Sequence, residues 1–229
     1  MGGQGIANAQ QQQSGSANSY MELRQLIGWI GFVMPFFVRV VDWIAEQTPA
    51  RASISAYYYT GMRDVFVSTL VLVGVLLTSY RGVRKSDHWV AIACGVAAIG
   101  IALFPMDPTW APQILERHPK IATEECYVNH GLLCYHFYFV ATFFALSFYL
   151  VFFRFKANTP KHPALPTRQK ERRNEVYKYC GIAMLGAMAW IGYLFLTGDK
   201  EPIYWPEAIA VLAFAAAWLV KGQGLLRDP

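Results

Sequence analysis

Charge is scarce in this chain: Asp, Glu, Lys and Arg make up 15% of 229 residues, against roughly 25% in an ordinary soluble domain. With 55% hydrophobic residues, that scarcity excludes a largely disordered protein, which needs high charge and little apolar surface. Four cysteines are too few to staple a disulfide scaffold. Familiar catalytic signatures are also missing: there is no G-x-S-x-G elbow, H-E-x-x-H, Walker A loop or dinucleotide fingerprint. The apolar stretches lack the central Lys of a retinal protein, the facing His pairs of a haem-carrying bundle and a chain of acids for proton transfer. No cofactor is expected.

What the chain has is long apolar runs, and its mean hydropathy is +0.26. A bilayer core of ~30 Å takes about 20 helical residues. Six windows qualify: Leu26–Ala45, Met62–Tyr80, His88–Met106, Gly131–Phe153, Tyr179–Gly198 and Trp205–Lys221. Backbone groups in hydrocarbon must bond within their own segment, and the alternating ten-residue stretches of a barrel are absent, so helices are expected. The sequence therefore predicts an all-α integral membrane protein, a bundle of six transmembrane helices over residues 23–222. A polar tail (1–22) with a Gln run is expected to be disordered, and a short C-terminal tail (223–229) follows.

Cations fix the expected orientation. One face would hold Arg24, the second loop (Arg81, Arg84, Lys85), eight cations between Arg154 and Lys178, and Lys221 with Arg227; fourteen Lys and Arg then oppose six. By the positive-inside rule both termini lie in the cytoplasm and the protein sits in the cytoplasmic (inner) membrane. The basicity is then a topology signal plus attraction of the 154–178 loop to anionic lipid, so no nucleic-acid partner is expected. After Pro160, Pro163 and Pro166, the stretch from Arg168 to Tyr177 is a good helix former, so the fifth helix is expected to begin before the membrane. Small residues four apart, Ala91/Gly95 and Ala93/Ala97, Ala183/Ala187 and Ala213/Ala217, point to the third, fifth and sixth helices as the compact centre. The same faces could serve a homo-oligomer or a membrane-protein partner.

Unusual polar and aromatic residues concentrate on the expected outer face. Tyr57, Tyr58, Arg63, Asp64, His130, Trp205 and Glu207 are the candidate ligand-binding set, gripping a lipid head group or sugar by stacking and cation–π attraction. An interfacial aromatic belt, with Asp64 and Glu207 complementing helix dipoles, would produce the same residue types without a ligand. Arg39 and Asp42, one turn apart near the outer end of the first helix, are expected to pair with each other or with Asp64 or Glu207, as a structural clamp or as part of a polar functional site. An enzymatic alternative uses Ser55 (or Ser53) as nucleophile, His130 as base and Asp64 or Asp107 as orienter. Cys126, His130 and Cys134 recur every fourth residue and are the weak metal candidates, but zinc usually wants four ligands and no second motif supplies them, so no metal is expected.

The outer loop Ser53-Ile-Ser55-Ala-Tyr57, leading through Arg63-Asp64-Val65-Phe66 into the second span, resembles the corresponding loop of the DRAM/FRAG/SFK group. The blocks SISAYYYTGMRDVFV, RRNEVYKYCG and YWPEAIAVLAFAAAWLVKG are similar to a bacterial family of six-span membrane proteins. This resemblance implies six helices with both ends cytoplasmic, and an association with membrane trafficking and lipid or GPI-anchor handling. Ala56 replaces the acid that usually follows the Ile-Ser pair. A poorer resemblance, to the seven-span ceramidase and progestin-receptor superfamily, lacks one span and the paired His-x3-His. The expected function is lipid or amphiphile binding in an outer-leaflet cleft as a binding, sensory or accessory subunit. A lipid hydrolase and a small-solute channel or transporter are the alternatives.

Overall fold

The computed structural model describes residues 2–47, 51–106, 135–156, 168–198 and 202–226. The elements are α1 (Gly2–Glu46), a 3-10 turn (Ser55–Tyr59), α2 (Arg63–Thr78), α3 (Lys85–Leu103), α4 (Tyr135–Tyr149) prolonged by a π turn (Leu150–Arg154), α5 (Arg168–Thr197) and α6 (Tyr204–Lys221). No strand occurs among the described residues. Five helical segments are long and apolar enough to cross a membrane: Asn18–Glu46, Lys85–Leu103, Tyr135–Arg154, Arg168–Thr197 and Tyr204–Lys221. At 16 residues, α2 is shorter, about 24 Å at ~1.5 Å per residue.

The outward faces suit lipid. Along α1, Trp29, Phe32, Phe36, Val40 and Trp43 are exposed at helical spacing and form one apolar stripe. Such a surface is rarely left to water, and it is consistent with a membrane protein. Two expectations about α1 and α5 need correction or extension. The tail over residues 1–22, expected to be disordered, continues the first helix from Gly2, because Ala and Gln propagate well from a helix already nucleated by its apolar half. Proline at position 35 does not end α1. The early start expected for α5, at Arg168, is what the structure has.

Packing is organised around α6, which α1 and α5 both contact, while α2 pairs with α3 and α3 with α4. Buried Ala210, Ala213, Ala215, Ala217 and Trp218 show that α6 is enclosed on most sides. The small residues of α3 serve a different neighbour from the one expected. A Cβ on Gly95 would lie 2.4 Å from the Gly74 carbonyl oxygen, and a Cβ on Gly74 would lie 2.8 Å from the Gly95 carbonyl oxygen. Close approach is thus spent on α2–α3, and α5, with Ile182, Leu185, Trp190 and Tyr193 exposed, is peripheral instead of central. At the far end Arg154 Nε donates to Asp87 Oδ1 at 2.6 Å, tying the π turn to the start of α3.

The Gly74–Gly95 contact yields a comparison of identical substitutions. Gly95→Ala must force α2 and α3 apart and is expected to cost about 1–3 kcal/mol. Gly192→Ala meets nothing within 4 Å and should be neutral or slightly stabilising. Thermal unfolding in detergent measures both; equal shifts would remove the close contact from the account.

Candidate functional site

The loop between α1 and α2 does not lie on the surface as an aromatic belt. Ser53, Ile54, Ser55, Ala56, Tyr57 and Tyr58 are all buried, packed into the end of the bundle where α6 begins. Proximity along the chain supplies few partners here, so the loop depends on groups from four helices. The backbone N–H of Tyr204 donates to Ala52 O at 2.9 Å, and the Tyr204 hydroxyl donates to Pro35 O at 2.8 Å. Tyr204 therefore fastens the loop and α1 to the start of α6. Tyr59 does the same toward the end of α3, donating to Met106 O at 2.6 Å.

Three polar clusters hold the loop. In the first, Glu207 accepts from Ser53 Oγ at 2.8 Å and from the Ile54 N–H at 2.6 Å. Ser53 Oγ in turn accepts the Ser55 N–H at 3.0 Å. In the second, Ser55 Oγ lies 2.9 Å from His136 Nε2, and His136 Nδ1 lies 2.7 Å from Phe104 O. A carbonyl can only accept, so Nδ1 carries the proton and Nε2 is left to accept from the Ser55 hydroxyl. In the third, Arg51 grips Asp42 through Nε at 2.9 Å and Nη2 at 3.0 Å, and its Nη2 also donates to Glu46. Burial works against charge on Arg51, but the hydrogen bonds to Asp42 and Glu46 hold its pKa above the ordinary value. Burial also pushes the Tyr57 hydroxyl up to about 12, so it stays protonated at neutral pH.

These contacts divide the residues expected to bind a ligand. Tyr57 is 0% exposed and Glu207 8% exposed, both absorbed into the packed end instead of facing a ligand. Tyr58 is buried too; its hydroxyl accepts from Arg63, whose guanidinium lies 4.3 Å from the centre of the same ring. Arg63 and Asp64 are exposed in the first turn of α2, and Trp205 is 56% exposed. Among the described residues the first loop meets the segment leading into α6, where the Tyr204 N–H bonds to Ala52 O.

The expected Arg39–Asp42 clamp is replaced. Asp42 is taken by Arg51, which reaches it across a chain reversal with bidentate geometry that a neighbour one helical turn away on α1 does not match. Arg39 turns instead to the rings of Tyr204 and Trp205, 5.5 and 5.6 Å from their centres. Its Nη1 is buried and has no hydrogen-bond partner among the described residues. His130, Asp107, Cys126 and Cys134 lie outside the described residues, and among the described residues no group of three His, Cys, Asp or Glu could hold a metal.

Two participants stand outside the candidate sets read from the sequence, where His136 is a neighbour of His130 that does not share its helical face. His136 had one local signal, an ionisable ring at the start of an apolar span. Arg51 had none, since nothing in its neighbourhood reveals that the chain turns back onto Asp42. Compared with known proteins, the chain matches no family model, no curated protein and no solved structure.

The Arg51–Asp42 pair is nearly solvent-free, with side chains 5% and 3% exposed. Arg51→Ala removes the bidentate partner of a buried carboxylate and is expected to destabilise by about 3–5 kcal/mol. The apolar replacement Arg51→Met with Asp42→Leu should recover most of that loss. Thermal unfolding of both variants checks this, and a double variant as unstable as the single would contradict the ion-pair account.

Proposed function

We propose that the chain is a six-span protein of the cytoplasmic membrane with both termini cytoplasmic, binding an anionic lipid head group at its outer-leaflet end. It acts there as a binding, sensory or accessory subunit. For the span count, α2 provides the sixth crossing, and the tightly packed α2–α3 pair joined by the short link from Thr78 to Lys85 supports it. For the sidedness, contacts of Arg24 with Lys221 O, of Lys221 with Phe155 O and of Arg154 with Asp87 collect the cation-rich segments at one end of the bundle. The end bearing the buried first loop is then the outer one.

A single observation carries the binding reading: Arg39, within the membrane-crossing length of α1, has a buried Nη1 without an acceptor among the described residues. A guanidinium at that depth is costly unless an anion or water meets it. A lipid phosphate satisfies its planar donors, while Trp205 and Tyr204 flank the site with amphipathic rings suited to the head-group level. The exposed stripe of Phe36, Val40 and Trp43 on α1 offers the acyl chains a path beside it.

A second reading is supported by the Ser55–His136 pair, which has the relation of nucleophile to base, with Phe104 O as orienter. In an ester-cleaving step, Ser55 Oγ bonds to the carbonyl carbon as His136 Nε2 takes its proton. The alkoxide then leaves with that proton, and water releases the acyl group from Ser55, restoring the hydroxyl.

Two measurements separate the readings. Protein purified in mild detergent should lose co-purifying anionic lipid in Arg39→Met but keep it in Ser55→Ala, as read by mass spectrometry. Unchanged lipid in Arg39→Met would end the binding proposal. A fluorophosphonate probe should label Ser55 in the native chain and not in His136→Gln if the enzymatic reading holds; an unlabelled native chain would reject it.

A further inference from the structure

The opposite end of the bundle holds a cavity that the outer-leaflet reading does not use. It has a volume of about 240 Å³, and its lining includes Arg24, Lys170, Arg173 and Lys221 with Asn174 and Tyr177, and no carboxylate among the described residues. Four cations from three helices, α1, α5 and α6, thus surround one space. Like charges are held together only where something offsets their repulsion.

The two cations at its base are poorly served by the protein. Lys221 Nζ donates to Phe155 O at 3.0 Å, which uses one of the three protons of an ammonium. Its other neighbours are the rings of Phe155 and Tyr177, 5.2 and 6.0 Å away. Arg24 reaches Lys221 O at 3.5 Å and Met21 Sδ at 3.7 Å through Nη1, both long contacts. Its Nε is buried without a hydrogen-bond partner among the described residues. The carboxylate of Asp87 nearby bonds to Arg154 Nε at 2.6 Å and the Arg84 N–H at 3.1 Å, so its field reaches Lys221 but these hydrogen bonds go to other donors.

We infer that this cavity binds a phosphate group, held by the free donors of Arg24 and Lys221 at its base and by Arg173 and Lys170 at its rim. A tetrahedral oxyanion matches donors converging from several sides, and charge-assisted hydrogen bonds are the strong kind. The volume is below the roughly 300–1,000 Å³ of sites that enclose a whole ligand, so the cavity takes a head group and leaves the remainder of the molecule outside. A phosphomonoester lipid such as phosphatidic acid and a soluble phosphomonoester present the same group.

The test uses the full chain in detergent micelles, in the Arg39→Met background so that lipid at the other end does not contribute. Three probes are compared: phosphatidic acid doped into the micelles, glycerol 3-phosphate and inorganic phosphate. Arg24→Gln with Lys221→Gln should weaken binding about tenfold or more, the loss of two charge-assisted contacts. The charge-matched control Lys85→Gln with Lys178→Gln changes exposed cations outside the cavity and should weaken it less than about twofold. Should the first pair of substitutions prevent folding, Arg173→Gln at the half-exposed rim should still weaken binding about threefold. Phosphatidic acid bound and not displaced by glycerol 3-phosphate assigns the site to lipid; binding of the soluble probes alone assigns it to a soluble phosphomonoester. Equal losses in the cavity and control pairs, an Arg173→Gln without effect, or no binding of any probe would overturn the inference.

Discussion

A segment of irregular backbone enters the apolar end of a helical bundle at a cost unless most of its N–H groups and hydroxyls find partners there, because hydrocarbon offers none. The buried first loop finds them through Glu207, His136 and the Asp42–Arg51 pair, with the Tyr57 hydroxyl buried and without a partner among the described residues. These contacts do more than hold a loop. They fix the start of α6 against α1 and bring the end of α3 against the start of α4, so the relative placement of four helices depends on them.

The helix pairs themselves rest on close approach rather than on hydrophobic exclusion, since lipid tails are as apolar as the side chains between helices. Gly74 against Gly95 removes two side chains where α2 and α3 meet, and Gly28 and Gly31 do so where α1 faces Leu219 and Ala215 of α6. With bulky Phe and Trp turned outward along α1, small residues can line the seams. A bundle packed this way is tight at its centre and polar at both ends. Each end keeps a buried guanidinium nitrogen without an acceptor among the described residues, on Arg39 at one and on Arg24 at the other.

The buried carboxylate and imidazole of the first-loop end sit on different helices, yet both bond to the same short stretch: Glu207 to Ser53 and Ile54, His136 to Ser55, with Ser53 Oγ accepting from the Ser55 N–H. The two ionisable groups are thus joined through three consecutive residues of the loop. Tyr204, adjacent to Trp205, is bonded to Ala52 of the same loop.

Local sequence was enough for the elements that local physics controls. Apolar windows of membrane length, the helix-forming run after Pro166 and the clustering of Lys and Arg located the helices, because backbone bonding and transfer from water act within a few turns. The same windows gave the second crossing more length than the 16 residues of α2. They also assigned the small residues of α3 to the wrong neighbour. The polar lattice was beyond local reach: Glu207 meets Ser53 across 154 positions and His136 meets Ser55 across 81, and Asp42 chose Arg51 over its helical neighbour Arg39. Residue type fixed which groups needed partners in an apolar setting; only the folded packing of α1, α3, α4 and α6 around the first loop decided which partners they obtained, because hydrogen bonds select by distance in space and the chain reversals that set those distances leave no periodic mark.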